Sequence, residues 1–286
     1  MIDKGVVAMA GNERGIKRVW NVTHQQQGAG HKQGFVLEPG HWSDFDPFLL
    51  MAEDWFQRGT FGFHPHRGIE TVTYVIDGEL EHKDNKGGSG LLKAGDVQWM
   101  TAGSGILHAE EPVEGSTVHS LQLWVNLPKA SKMAAPRYQD LTQNDLPVIE
   151  EEGATVRLFS GSYRDVQSKT ENYAPVTMIE MTLERGATLS PTIPASYNGF
   201  LYVLEGEGAF GKDRVKGEKQ QVLWLGKGEN EGGDSSIRIE SEERLRVLLY
   251  AGEPIGEPVV ARGPFVMNSE EEIRQAYEDF YNGKFN

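Results

Sequence analysis

His64 and His66 stand two apart, and His108 and Glu110 repeat that spacing further along the chain. Side chains of a strand alternate faces, so positions i and i+2 point the same way, about 6–7 Å apart. Two such pairs on neighbouring strands bring three imidazoles and one carboxylate toward a single point. That donor set suits one divalent first-row transition metal, held by nitrogen and oxygen at about 2.0–2.2 Å. Cysteine is absent, which excludes thiolate ligands, a thiolate nucleophile and disulfides. All eight histidines fall between His24 and His119. Glu70, four residues after His66, shares that residue's face by parity and is the alternative carboxylate. Pro65 has no N–H, so its strand is expected at an edge, where a site can open to solvent.

The other candidates have ordinary readings beside the chemical one. His24, His31, His41, His82 and His119 lack partners at ligand spacing and read as surface or satisfied polar residues. Arg67 reads equally as a support behind the ligands or as a solvated arginine. Trp99, Met100 and Phe63 are candidate pocket walls, with core packing the competing role. The acidic runs at 150–152 and 240–243 read as solvated faces. No serine–histidine–acid order, P-loop or dinucleotide fingerprint is present.

The elements that must carry these residues are short strands. The chain holds 34 glycines, many of them between runs of Val, Ile, Tyr, Phe and Leu, as in an all-β fold with tight turns. Ile69–Ile76 is β-branched and aromatic and closes on Asp77-Gly78, a hairpin turn. Residues 1–15 read as a loosely ordered start, and 128–150 as a connector. Setting Gly206 on Gly78 gives an offset of 128 residues that also aligns Tyr202 with Tyr74 and Val203 with Val75. Two copies of one β unit follow, divided as 1–130 and 131–286. In the second copy Thr192, Pro194 and Asn198 replace His64, His66 and Glu70, so a metal belongs to the first copy only. Ser269 and Glu272 form a capping box, and Ile273, Ala276, Tyr277, Phe280 and Tyr281 make one apolar face, predicting a helix over 269–282.

The formal net charge of −14 repels phosphate backbones and disfavours direct nucleic-acid binding. No apolar run has the length of a signal peptide or a membrane span, and a cytoplasmic protein is expected.

At these residues the sequence resembles the pirin family of the cupin superfamily. The matching pieces include Phe45–Leu50, His64-Pro65-His66-Arg67-Gly68-Ile69-Glu70-Thr71-Val72-Thr73-Tyr74, Gly95–Gly103, Gly105–Glu110, Leu121–Pro128 and Gly263–Asn268. The resemblance runs from about Arg18 to Phe285. It implies a bicupin: two jelly-roll β-barrels in tandem, facing each other, with the metal in the N-terminal one. It implies that His64, His66, His108 and Glu110 are the ligands, that Glu70 is not, and that the metal is iron, as Fe(II). Two departures are mild: Gly62-Phe63 stands where the family often has an acidic residue, and Ser104 where arginine is common. A pair of barrels in one chain can satisfy each other, which favours a monomer.

The resemblance implies two functional readings. One is a quercetin 2,3-dioxygenase, in which a flavonol is opened by O2 and Glu110 doubles as general base; substrate-binding residues are not assigned. The other is a non-enzymatic, redox-responsive iron protein that contacts a transcription regulator or a metabolic enzyme.

Overall fold

The computed structural model describes residues 12–228 and 232–285. Two β-barrels dominate it, each built from a seven-stranded antiparallel sheet and smaller strands that close over it. In the first barrel the large sheet runs Arg137–Leu141, Val97–Thr101, Ile69–Asp77, Thr117–Asn126, Phe48–Gln57, His31–Leu37 and Gln25–Gly28. Its small sheet runs His64–His66, Ile106–Pro112, Glu79–Asp84 and Ser89–Lys93. In the second barrel the large sheet runs Ile16–Asn21, Gln221–Leu225, Asn198–Glu205, Leu245–Gly252, Val176–Leu183, Ala154–Ser160 and Val148–Glu151.

A division of the sequence at 130/131 therefore does not coincide with the sheets. Ile16–Asn21 pairs with Gln221–Leu225 of the second barrel, and Arg137–Leu141 pairs with Val97–Thr101 of the first. Each barrel takes one outermost strand from beyond its own stretch of chain, so Gln221–Leu225 and Val97–Thr101 are paired on both sides. The helix Glu270–Tyr281 and the strand Phe265–Met267 also return to the first barrel: Val266 N–H donates to the Arg67 carbonyl and Arg67 donates to Asp279.

The expected start of the chain falls partly outside the described residues, at 1–11. Residue 14 is tied down: the buried Arg14 guanidinium donates to the carbonyls of Pro194, Ala195 and Tyr197.

The two large sheets pack face to face. Phe48, Met51, Val72, Tyr74, Trp99 and Leu121 of the first meet Met178, Phe200, Tyr202, Trp224, Leu248 and Tyr250 of the second. These strands are buried on both faces, which is why they read as continuous apolar runs and not as alternations. The opposite faces fill the barrels. In the second barrel that filling is aliphatic: Ile179, Met181, Leu201, Val203, Val247 and Leu249 form one cluster.

The repeat holds at the level of strand pairing. His64 sits opposite His108, and Thr192 sits opposite Ser236, each pair separated by the same 128 positions. The C-terminal helix starts where the capping signal puts it, with Ser269 Oγ accepting from Glu272 N–H. Glu272 reaches back one residue further than a capping box requires, to the Asn268 N–H at 2.9 Å. Tyr281 is not part of the packed face: it is 77% exposed, and Asp279, paired with Arg67, is buried instead.

Candidate metal centre

Three imidazoles meet inside the first barrel. One nitrogen from each of His64, His66 and His108 lies within 4.8 Å of the others. The strand His64–His66 is at the edge of the small sheet, as Pro65 requires, and its antiparallel pairing puts His64 directly across from His108. His66 and His108 are buried, at 2% and 1% exposure. Neither ring nitrogen of either residue makes a hydrogen bond of normal geometry. Such buried polar atoms are rare without a partner, and a cation held by one nitrogen of each ring would satisfy two of the four. At His64, Nδ1 lies 2.8 Å from the Gly62 carbonyl; a donor N–H there fixes the tautomer and leaves Nε2 for a metal.

Electrostatics favour neutral, ligating rings. Burial holds His66 well below the usual imidazole range; His108 and His64 add to this, while Glu110 and the Pro264 carbonyl oppose it. His108 is lowered in the same sense, by burial first and then by His64 and His82.

Glu110 lines the same cavity but lies outside the three-nitrogen cluster. Its Oε1 accepts from Thr73 Oγ1 at 2.9 Å and its Oε2 from Gln122 Nε2 at 2.8 Å. Gln122 is itself oriented by the Trp124 indole N–H, and that ring packs edge-on against His66 at 5.0 Å. The expected convergence is thus met by three residues, with the fourth held beside them. Glu70 is elsewhere: fully buried, it accepts from Thr101, and burial pushes its carboxyl up to about 7.

The remaining candidates separate cleanly. Arg67 is a support and not a surface residue: 4% exposed, it donates to Asp279 and to the Ser104 carbonyl and lies over the Phe285 ring. His24 and His119 share Glu53, and His31 meets Asp54, so these three are satisfied polar residues. His82 lies opposite Glu110 in the sheet, buried beside His108 and Tyr138. Trp99 belongs to the inter-barrel core and Met100 to a small cluster with Ile69 and Ile106, while Phe63 is 60% exposed.

The cavity beside the imidazoles has a volume of about 230 Å³. Its apolar wall is Phe56, Phe61, Leu80, Trp124 and Pro264; its polar wall is Asp54, Thr73, Glu110, Ser120 and Gln122. Sequence reading missed these polar positions. Strand pairing explains their meaning, because Thr73, Ser120 and Gln122 occupy the places that Leu201, Val247 and Leu249 hold in the second barrel. One barrel is filled and the other is hollow.

The sequence matches the pirin family profile over residues 22–125 and the pirin C-terminal cupin domain over 178–286. It is 44% identical to a pirin-like protein of Solanum lycopersicum over 84% of this chain and 82% of that protein. The chain belongs to the pirin family. Among crystal structures, GK1651 of Geobacillus kaustophilus is similar at 56% identity and TM-score 0.85, covering 87% of this pirin and 100% of that chain. A quercetin 2,3-dioxygenase of Acinetobacter baumannii is similar at 33% identity and TM-score 0.83, covering 96% and 98%. The pirin YhhW of Escherichia coli, in complex with nickel(II), shares the fold at 22% identity and TM-score 0.65, covering 83% and 99%. The bicupin architecture expected from the resemblance is therefore that of this pirin, with a hollow N-terminal barrel whose histidines suit a divalent metal. Among the described residues no helix is long and apolar enough to cross a membrane.

Proposed function

We propose that this pirin is a metal-dependent dioxygenase that opens a flavonol such as quercetin with O2, using iron as Fe(II). The observation that carries the reading is that two imidazoles of the cluster, His64 and His66, line one cavity with Glu110 and an aromatic wall. The likeness to a quercetin 2,3-dioxygenase along nearly the whole chain supports it.

His64, His66 and His108 would hold the metal, with Glu110, which lines the same cavity, as the fourth donor. When bound, the metal supplies Lewis acidity toward a flavonol hydroxyl and redox chemistry with dioxygen. The protein's own groups do the rest. Glu110, two residues from His108 on the same strand, accepts the proton of the flavonol 3-hydroxyl. Thr73 and Gln122 aim that carboxylate, and Trp124 aims Gln122. Phe56 and Phe61 offer aromatic contact to an aryl ring, and Leu80 adds an apolar wall that excludes water. A cytoplasmic monomer is part of the same proposal.

Turnover is the test. Iron-loaded protein given quercetin in air is expected to bleach its near-visible absorbance with matching oxygen uptake. Tight metal binding without turnover for any divalent metal would overturn the enzyme reading. The regulatory alternative, a metal-responsive partner of another protein, would then take its place.

A further inference from the structure

Two carboxylates line the cavity, and they differ in what they have left over. Glu110 has a donor on each oxygen. Asp54, on the strand Phe48–Gln57, is 4% exposed, and both of its donors meet the same oxygen. His31 Nε2 lies 2.8 Å from Oδ1, and Gln33 Nε2 donates to Oδ1 at 2.9 Å. Among the described residues nothing donates to Oδ2. An acceptor left without a protein donor on a residue that lines a ligand cavity is open to a ligand's own O–H.

The rest of the cavity agrees. His31, which fixes Asp54, packs edge-on against Phe61 at 5.4 Å, so the acid and the aromatic wall are held together. In the second barrel, strand pairing puts Met181 at the corresponding position, and that barrel is filled with aliphatic side chains. The acid stands only where the barrel is hollow.

We propose that Asp54 is the specificity-determining residue of the site: its Oδ2 accepts a second hydroxyl of the substrate, remote from the one placed at the imidazoles. The site then selects polyhydroxylated flavonols over a flavonol whose only hydroxyl is at the metal. This rests on the dioxygenase reading and names the substrate class within it.

The test is binding, measured by absorbance titration of iron(II)-loaded protein without oxygen. The probes are quercetin and 3-hydroxyflavone, which lacks the ring hydroxyls. The wild type is expected to bind quercetin at least about tenfold more tightly. In Asp54→Asn, His31 and Gln33 keep the amide oxygen at the Oδ1 position, so an NH2 replaces the free acceptor. That variant is expected to lose about tenfold to a hundredfold in quercetin affinity and none in 3-hydroxyflavone affinity. Its metal content, by elemental analysis, is expected to match the wild type. Equal loss of both flavonols, or loss of neither, overturns the proposal. So does a wild type without preference for quercetin, a measurement that stands if the variant does not fold. Binding of neither flavonol by the wild type is a different result: it defeats the dioxygenase reading, and this inference with it.

Discussion

Tyr202 of the second barrel donates its hydroxyl to Glu53 of the first at 2.5 Å. Tyr74 of the first returns the contact to Glu180 of the second, at 2.6 Å. Strand pairing makes the two tyrosines equivalent, and the two glutamates as well. The settings diverge around them. Glu180 is held by Arg157 and Arg246, whereas Glu53 is held by His24 and His119. Gly34 makes room for this, since a side-chain carbon there would lie 2.5 Å from the His24 ring.

Acid stability follows from that setting. Burial opposes ionisation of Glu53, but hydrogen bonds from His119, His24 and Tyr202 outweigh it and lower its carboxyl from the ordinary 4.5 to about 2. The folded value is depressed, so the contribution is fully present above about 4.5 and is lost as pH falls toward 2. The gap corresponds to about 3 kcal/mol. Thermal melts of wild type and Glu53→Gln between pH 6 and pH 2 are expected to converge toward the acid end. Parallel curves would show that Glu53 is not the group responsible.

Loss of a single imidazole is expected to remove the metal while sparing the fold. His66→Ala and His108→Ala should lose nearly all bound metal by elemental analysis, because each removes one of only three converging nitrogens. Chelation should lower the melting temperature of the wild type and leave these variants unmoved. A variant that keeps its metal would show that the cluster is not the binding site.

Gln122→Leu installs the residue that the second barrel carries at the same place, Leu249. Glu110 then loses its donor at Oε2 and part of the polar wall becomes apolar. Metal affinity or turnover is expected to fall about 10–100-fold with little change in stability. Steady-state kinetics with an assay of metal content decides which, and unchanged values of both would remove Gln122 from the machinery.

Gly68 carries the turn that follows the histidine strand, at φ 79°. A side-chain carbon there would stand 2.0 Å from the Val266 carbonyl oxygen, which the buried Lys132 ammonium also holds. Gly68→Ala is expected to destabilise by about 2–4 kcal/mol and to loosen metal binding by shifting the neighbouring His66. Denaturant midpoints with a competitive metal titration would test both halves.

Much of this pirin was legible because it is written locally. The His-x-His pair, its counterpart at 108, the capping serine and the 128-residue echo each sit within a few positions or at a fixed offset. What was not legible depends on distant pairing. The strand Ile16–Asn21 carries no local sign that it closes the second barrel. Asp54 and Glu53 adjoin, yet one faces the cavity and the other the opposite barrel; with both faces buried, the strand has no polar alternation to announce this. Glu110 was found by spacing, but spacing could not reveal that Thr73 and Gln122 would claim its oxygens. Arg67 looked ambiguous because its partner Asp279 is contributed from the far end of the chain.

That last arrangement governs the order in which the molecule can be completed. The strands of the hollow barrel precede its cap, Phe265 to Phe285, with most of the second barrel lying between them in the chain. During synthesis the histidine strands emerge long before the segment that braces them. The metal pocket therefore attains its finished rigidity only once that later segment has folded back onto it, and until then the first half keeps an unprotected flank.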